Sequence, residues 1–380
     1  MKKSTKLLAL LLAVIMVVAL VPSMALAEEV EPAADTQGII DTVIGAELPT
    51  YLVYCKLSTT NLPAANAQIT LTNNANGVTK VVNANALGLA LIPKGLIGIY
   101  NVAATCNGPL TGMKYSSVAG LKWTMSMLPD VDTLVLYPVL DIGLNYSDHF
   151  AYMIGYNSTT VGPNRNITRG EIATMIFRIL TPEARNKIFT KTNNFSDVNA
   201  SNVHNNAISS LAKAGILKGT GNGKFSPNAV VTREQFCAMI GRMFSYEYTG
   251  SNLFGDINGS FAKNYINLLG MLGIIKGDGN GMANPTAPLT RAQCAAMINR
   301  LLGRQSAAES ISALTDTSLL KTWKDCQAGA WYYADIMEAT NSHYYTWSTD
   351  VPNVGNQDTV IFEAWTTLRT DTPNWVDLQK

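Results

Sequence analysis

Acidic side chains are missing from a long stretch near the N-terminus of this 380-residue chain. From Leu48 to Pro129 the sequence has five lysines but no aspartate, no glutamate and no histidine. General acid–base and nucleophilic catalysis need such groups within hydrogen-bonding reach of one another. No local motif elsewhere assembles a catalytic set either. The sequence therefore predicts a protein that is not an enzyme and that needs no cofactor.

Long apolar runs are absent after residue 27. The first 27 residues differ, because three lysines precede an apolar run from Leu7 to Val21, and Ala25-Leu26-Ala27 follows as a cleavage site. This order is typical of a secretory signal peptide, and the run is short for a bilayer span. We expect residues 1–27 to be removed and the remaining chain to be secreted, with no membrane contact after cleavage.

A strong net charge of either sign is absent as well. The chain has 28 Lys and Arg and 27 Asp and Glu, and losing the three lysines of residues 1–27 leaves 25 against 27, a net charge of −2. Nucleic-acid and anionic-membrane binders carry a clear excess of basic residues. The sequence therefore predicts neither partner.

Cysteine and histidine are scarce and scattered. The five cysteines are an odd number, so at least one has no partner within the chain. Cys55 and Cys106 each lie near the end of a strand-like run and form a candidate disulfide, while Cys237 and Cys294 fit the apolar face of a helix as buried thiols. The three histidines, at 149, 204 and 343, share no metal-ligand spacing with the cysteines, so we expect no metal site.

Short strands dominate residues 47–140, which follow a polar linker at 28–46. Alternating apolar residues punctuated by Asn-Gly and Pro-Lys-Gly favour an antiparallel sandwich of about seven strands. The predicted strands are Tyr51–Leu57, Ala67–Thr72, Lys80–Ala84, Gly88–Ile92, Ile97–Thr105, Tyr115–Trp123 and Thr133–Leu140. The run "NANALGLALIPKGLIGIYNVAATC" resembles the Cna-B or prealbumin-like sandwich.

From about residue 147 the pattern becomes helical and repetitive. Three segments align without a gap: "GYNSTTVGPNRNITRGEIATMIFRIL" (155–180), "GTGNGKFSPNAVVTREQFCAMIGRMF" (219–244) and "GDGNGMANPTAPLTRAQCAAMINRLL" (277–302). We call them copies one, two and three. Each has Pro eight residues after the first Gly, then Thr-Arg, then a helix that closes with Met-Ile-x-Arg. Internal repetition of this kind predicts one structural unit used three times.

A second unit precedes copies two and three: an aromatic-x-Asp followed by an amphipathic helix that ends in Gly-Ile. It is missing before copy one but occurs at the C-terminus as "WKDCQAGAWYYADIMEATN" (323–341). We therefore predict a closed pseudo-threefold domain in which the C-terminal half-repeat completes the first repeat, because an isolated half would leave an apolar face uncovered. The predicted boundaries are 147–190, 195–245 and 254–303 for the repeats, 319–345 for the half-repeat and 346–380 for a C-terminal tail.

This order of motifs resembles the S-layer homology (SLH) domain in three tandem copies. The resemblance implies an all-α pseudo-trimer whose grooves bind a secondary cell-wall polysaccharide, often pyruvylated, and hold the protein non-covalently on the cell wall. It also implies a cell-surface location and possible self-association in a surface layer. The fold class expected for the whole chain is multidomain, with an all-β sandwich followed by this all-α domain.

The start of each repeated helix combines a capping motif with an arginine. Thr168, Thr232 and Thr290 are each followed three residues later by Glu or Gln, which is a capping box. The arginines that follow these threonines, Arg169, Arg233 and Arg291, fall at the first helical position. We expect each arginine, together with its helix N-terminus, to bind an anionic group such as a pyruvate ketal. The alternative is an arginine that is merely solvated or paired with the aromatic-x-Asp acid.

Other repeated residues complete the predicted polysaccharide-binding set. The glycines could let a sugar approach or make a tight turn, and the aspartates are expected to cap helices or, alternatively, to accept from sugar hydroxyls. Two aromatic residues, Phe261 and Trp331, occupy equivalent positions, and copy two has Val203 at that position. These residues are Gly155, Gly219, Gly277, Asp197, Asp256, Asp325, Phe261 and Trp331.

Two functions of different class fit this organisation. The first is a surface protein that anchors to the wall and displays its sandwich as a lattice element, adhesin or spacer. The alternative is a wall-anchored hydrolase or carbohydrate-binding module with its active surface on the sandwich.

Overall fold

The computed structural model describes residues 50–375, apart from residue 61 and residues 109–112, 119, 129–130, 141, 306 and 349–361. The predicted signal peptide (1–27) and linker (28–46) lie outside the described residues. A strand-rich region is followed by a helical region, which confirms the predicted fold class. Among the described residues, no helix combines the length and the hydropathy that crossing a bilayer requires.

The described part of the N-terminal region contains eight strands. They are β1 (Thr50–Leu57), β2 (Gln68–Asn73), β3 (Thr79–Asn83), β4 (Leu89–Pro93), β5 (Ile99–Asn107), β6 (Lys114–Ser116), β7 (Lys122–Thr124) and β8 (Val131–Pro138). The hydrogen-bonded order is β3-β2-β5-β6-β8-β1-β4, and β7 also pairs with β5. The count exceeds seven because the predicted strand Tyr115–Trp123 is two short strands, β6 and β7.

One strand pair departs from the predicted antiparallel arrangement. β1 and β8 run parallel, with Cys55 opposite Leu134, whereas the other pairs are antiparallel. Parallel neighbours need a long connection, and the six strands between β1 and β8 supply it. The resemblance to the Cna-B or prealbumin-like sandwich stays a prediction.

The core of this region follows from strand alternation. Every second residue of β5 is buried: Tyr100, Val102, Ala104 and Cys106. These side chains belong to the same apolar cluster as Cys55 of β1. The candidate disulfide is wrong in this structure, since Cys55 and Cys106 are both free. Burial raises the pKa of the Cys55 thiol to about 12 and that of Cys106 to about 11, so both are protonated at neutral pH in the folded protein.

The helical region has eight helices among the described residues. They are α1 (Arg169–Arg178), α2 (Pro182–Ile188), α3 (Asn205–Lys213), α4 (Arg233–Gly241), α5 (Lys263–Met271), α6 (Arg291–Leu301), α7 (Ala308–Ser312) and α8 (Tyr333–Thr340). The capped helices α1, α4 and α6 pack on α3, α5 and α8, respectively. Each repeated helix therefore contacts the front helix of the following unit, and α8 at the C-terminus takes that place for copy three.

The C-terminal residues add a hairpin that the repeat pattern did not predict. Strand β9 (His343–Ser348) pairs antiparallel with β10 (Phe362–Leu368). Beyond it, the indole nitrogen of Trp375 donates to the carbonyl of Ala151 at 3.0 Å, so the chain end packs back on the start of the repeats. The strand region also contacts the segment that precedes the repeats, because the rings of Tyr137 and Tyr146 stack with centroids 4.3 Å apart.

Candidate functional site

A closed ring of backbone hydrogen bonds lies where the three copies meet. The amide of Ile167 donates to Leu289, that of Leu289 to Val231 and that of Val231 to Ile167, at 2.9, 2.8 and 3.0 Å. All three side chains are fully buried. Each residue immediately precedes a capped helix start, so the ring brings the three repeated Thr-Arg motifs around one axis.

Each repeated arginine reaches across to the glycine-rich turn of the next copy. Nε of Arg169 donates to the carbonyl of Phe225 at 2.7 Å, and its Nη2 to that of Lys218 at 2.8 Å. Arg233 contacts Ala283 and Lys276 in the same way, and Arg291 contacts Val161 and Ile154. The third of these contacts returns to copy one. We call the three interfaces junction 1–2, junction 2–3 and junction 3–1.

In the described structure, the first amides of the three capped helices are already used and cannot bind an anion. The amides of Arg169 and Gly170, the first two of α1, donate to the carbonyls of Ala229 and Pro227 in the next copy. Glu171 N donates to Thr168 in the capping box. In α4 and α6, too, the first two amides donate to backbone carbonyls of another copy and the third donates to the cap threonine. The predicted part of the helix N-terminus in anion binding is therefore wrong, because backbone carbonyls and the cap already satisfy these groups.

One arginine is neutralised at its junction and two are not. Nη1 of Arg291 lies 3.3 Å from Oε1 of Glu171, whose other oxygen completes the cap. The positions equivalent to Glu171 at the other junctions are Gln235 and Gln293. Among the described residues, Nη1 of Arg169 and of Arg233 has no acceptor. Burial lowers the pKa of Arg169 to about 10, so this guanidinium still carries its charge at neutral pH.

The repeated aspartates hold the turns rather than cap helices. The two carboxylate oxygens of Asp197 accept from the amides of Phe225 and Ser226, each at 2.8 Å. Asp256 accepts from Ala283 and Asn284 in the same way, and Asp325 from Val161 and Gly162. The expected capping role is wrong, because the described structure shows no side-chain cap bond at the start of α3, α5 or α8. Asp325, from the C-terminal half-repeat, serves the turn of copy one.

The three glycines allow close packing inside each unit. A Cβ on Gly219 would lie 3.0 Å from the ring of Phe195, and one on Gly277 would lie 3.1 Å from that of Phe254. A Cβ on Gly155 would overlap Trp323. Each glycine thus lies against the aromatic of the aromatic-x-Asp motif, which favours the packing role over contact with a sugar.

Exposed side chains mark one position of each unit. Trp331 is 64% exposed, Phe261 66% and Val203 65%, and each lies two residues before the first residue of a helix. At junction 2–3, Phe261 and Asp256 line a groove of about 580 Å³ with Glu234 of α4 and Asn284 of the turn. The structure brings these predicted residues together, but Arg233 is not among the residues that line the groove.

Two histidines that the sequence separates lie together in the structure. Nδ1 of His149 is 3.2 Å from Nε2 of His343, in a fully buried cluster with Glu338 and Glu363. The sequence-based reading of the histidines as scattered is therefore wrong for this pair. In the sequence, 194 residues separate the two histidines. Their one shared feature there is that His149 precedes copy one and His343 follows copy three.

Comparison with known families explains the threefold pattern. The sequence model of the S-layer homology domain matches residues 151–173, 194–237 and 253–295. These segments are S-layer homology repeats. They carry the ring, the arginine contacts and the capping boxes described above.

Three relatives illustrate where such repeats occur. The chain is 33% identical over 156 residues to an amylopullulanase of Thermoanaerobacterium thermosulfurigenes, covering 39% of this chain and 8% of the relative. It is 27% identical over 205 residues to a cellulosome-anchoring protein of Acetivibrio thermocellus, covering 52% and 44%. It is 30% identical over 158 residues to a surface-layer 125 kDa protein of Lysinibacillus sphaericus, covering 40% and 14%. The chain thus spans less than half the length of each.

Proposed function

We propose that the S-layer homology repeats attach this protein to an anionic cell-wall polysaccharide, which the arginines and exposed aromatics of the junctions bind. The repeats and the surface-layer and anchoring proteins among the relatives support attachment at the cell surface. The observation that carries the finer proposal is the free Nη1 group of Arg169 and of Arg233. A guanidinium with two donors fixed by backbone carbonyls and one unused donor is prepared to receive a carboxylate.

The junctions are not equivalent in this proposal. Gln235 and Gln293 use their oxygens for the cap, at 3.3 and 3.1 Å from the amides of Thr232 and Thr290. By equivalence with Glu171, we infer that their amide nitrogens lie beside Arg169 and Arg233, where Oε1 of Glu171 lies beside Arg291. Junctions 1–2 and 2–3 therefore each offer two donors to an anionic substituent, whereas the Arg291–Glu171 pair already neutralises junction 3–1.

The sugar rings are proposed to lie on the exposed aromatics. Flat aromatic faces suit the apolar faces of pyranose rings, and Phe261 stands at a groove that Glu234 and Asn284 supply with polar atoms. Trp331 offers the equivalent surface at junction 3–1. Val203 gives junction 1–2 no aromatic, so only junction 2–3 combines an aromatic with an arginine that Glu does not neutralise.

The N-terminal sheet is proposed to be displayed at the surface without catalytic activity. The hydrolases among the relatives share only a small part of their length with this chain, 8% for the amylopullulanase and 7% for an endo-1,4-beta-xylanase A. Self-association in a surface layer would use the displayed sheet, and this part of the proposal rests on the surface-layer relative alone.

Co-sedimentation with fractionated cell walls tests the proposal. The purified chain should pellet with walls that retain their secondary polysaccharide and stay in solution with walls stripped of it. Competition by the released polymer should return the protein to the supernatant. Equal pelleting with both wall preparations would contradict the proposal.

A further inference from the structure

A buried cluster of four ligand-type side chains lies outside the junctions. His149 precedes copy one, Glu338 is on α8, His343 begins β9 and Glu363 is on β10. None of the four is more than 1% exposed. One ligand atom from each can be chosen so that all four lie within 4.8 Å of one another.

Three potential ligand atoms converge on one imidazole nitrogen, which can donate a hydrogen bond to only one of them. Nδ1 of His149 lies 3.1 Å from Oε1 of Glu338, 3.4 Å from Oε2 of Glu363 and 3.2 Å from Nε2 of His343. A ring nitrogen carries at most one proton, so it can donate to only one of these three atoms. Oε2 of Glu363 has no hydrogen-bond partner among the described residues. An unsatisfied buried carboxylate oxygen is costly unless a cation accompanies it.

The second imidazole is held in the tautomer that a metal ligand needs. Nδ1 of His343 lies 3.1 Å from the carbonyl of Asn341, which can only accept. In the neutral ring this contact places the proton on Nδ1 and leaves the lone pair of Nε2 facing the cluster. An outer hydrogen bond of this kind is the usual companion of a metal-binding histidine.

The shortest contacts in the cluster approach the spacing of ligands around a tetrahedral ion. Nitrogen and oxygen ligands at zinc lie about 2.0–2.2 Å from the metal, so neighbouring ligand atoms are about 3.3–3.6 Å apart. The contacts of His149 Nδ1 are 3.1–3.4 Å, and His343 Nε2 is 3.2 Å from Oε2 of Glu338. Two imidazoles and two carboxylates are a donor set that Zn²⁺ accepts.

We propose that His149, Glu338, His343 and Glu363 form a structural site for one divalent transition-metal ion, with Zn²⁺ as the best-fitting ion. Four protein ligands leave no open position, so the site is structural rather than catalytic. Its ion would join the segment before copy one to α8 and to both strands of the C-terminal hairpin. It would thereby fasten the two ends of the repeat region together.

Two cationic side chains border the site and fit an outer role. Nη1 of Arg304 is 3.4 Å from Oε1 of Glu338 and also approaches the carbonyl of Phe150. Lys56 of β1 is buried and interacts electrostatically with Glu363. These cations orient the carboxylates. Neither donates a hydrogen bond to Oε2 of Glu363, which a metal ion in the cluster would bind.

Metal content and spectroscopy test the proposal on the full chain. After treatment with a chelator, the protein is incubated with Zn²⁺ or Co²⁺ and desalted, and bound metal is measured by mass spectrometry. We expect about one ion per chain, the intense visible absorption of tetrahedral Co²⁺, and a melting temperature at least about 5 °C higher with Zn²⁺ than without.

Two variants separate the site from non-specific binding. Glu363→Gln keeps the side-chain shape but removes a ligand charge, so Zn²⁺ affinity should fall at least about tenfold and the thermal shift should vanish. His204→Gln alters the histidine outside the cluster, which hydrogen-bonds Thr174, and should bind Zn²⁺ as the unaltered chain does. The proposal is overturned if the unaltered chain binds neither metal, or if Glu363→Gln binds as tightly as the unaltered chain.

Discussion

Arg291 and Glu171 form an ion pair at 3.3 Å between copy three and copy one, and the equivalent pair is absent at the other two junctions of the described structure. The difference arises from single residues, since Gln235 and Gln293 stand where copy one has Glu171. The glutamines preserve the capping box because their oxygen still accepts from the cap amide. They do not preserve the charge opposite the arginine. Three repeats that share one backbone arrangement thus differ in electrostatics where we propose that the ligand binds.

The double variant Gln235→Glu with Gln293→Glu should weaken wall binding. Each new carboxylate would pair with Arg169 or Arg233 as Glu171 pairs with Arg291, and would repel an anionic glycan. A partly exposed pair of this type contributes up to about 1 kcal/mol, so we expect roughly a fivefold loss of affinity at each junction. Binding isotherms with purified wall polymer at low and high salt measure the effect.

Glu171→Gln is the matched control for that experiment. It frees Arg291 and leaves the cap in place, so affinity should stay equal or increase. Both variants should melt within a few degrees of the unaltered chain, because the arginine–carbonyl contacts remain. Unchanged affinity in the double variant would show that the free guanidinium groups do not face the ligand.

The exposed aromatics should contribute to binding but not to stability. Phe261→Ala and Trp331→Ala remove side chains that are 66% and 64% exposed, so stability should change by no more than about 0.5 kcal/mol. Loss of ring stacking should cost about 1 kcal/mol of binding, or roughly fivefold in affinity. Val203→Trp should produce a gain at junction 1–2. Isothermal titration with wall polymer distinguishes these outcomes, and equal affinity for all three would argue against a stacking role.

The capping boxes should stabilise the junctions as well as their helices. Thr232 accepts from Gln235 N, and the residue directly before it, Val231, belongs to the central backbone ring. Thr232→Ala should cost about 1 kcal/mol, which lowers the melting temperature by roughly 2–4 °C for a domain of this size. Thr232→Ser keeps the accepting oxygen and should restore most of the loss. A serine variant as unstable as the alanine variant would contradict the capping explanation.

Contacts within one turn of helix could be predicted from the sequence, whereas contacts between distant segments could not. The Thr-x-x-Glu/Gln spacing predicted all three capping boxes, because the contact lies within one turn of helix. The contacts of Arg169 and Asp197 were not predicted, because their partners are backbone groups of other turns and backbone groups leave no trace in residue identity. The contact between His149 and His343 could not be predicted either, because only the folded arrangement of the repeats brings the two ends of the region together.

All five cysteines should be unreactive in the native protein. Each is buried and free, and burial raises the pKa of Cys237 and Cys326 to about 12. Thiolates are the reactive species, so a thiol reagent should label none of them before unfolding and all five in denaturant without reductant. Mass spectrometry counts the labels. Three labels in denaturant would indicate that the Cys55–Cys106 disulfide forms after all.

The turn-holding carboxylate of Asp197 should make stability depend on acid pH. Burial alone would raise the pKa of Asp197, but hydrogen bonds from the amides of Phe225 and Ser226 outweigh it and hold the pKa below its usual value. A depressed pKa means that this carboxylate stabilises the fold fully above the unfolded-state pKa, about 3.9. The contribution is lost as pH falls from there through the folded-state pKa.

Asp197→Asn isolates that contribution. An amide offers one oxygen acceptor and a nitrogen that faces the second backbone donor, so the variant should be less stable than the unaltered chain at pH 7. The two proteins should become similar in stability at pH values below the folded-state pKa, where Asp197 is protonated and therefore uncharged, as asparagine is. Denaturant titrations between pH 7 and pH 2 measure the difference. A difference independent of pH would mean that the turn depends on the shape of the side chain and not on its charge.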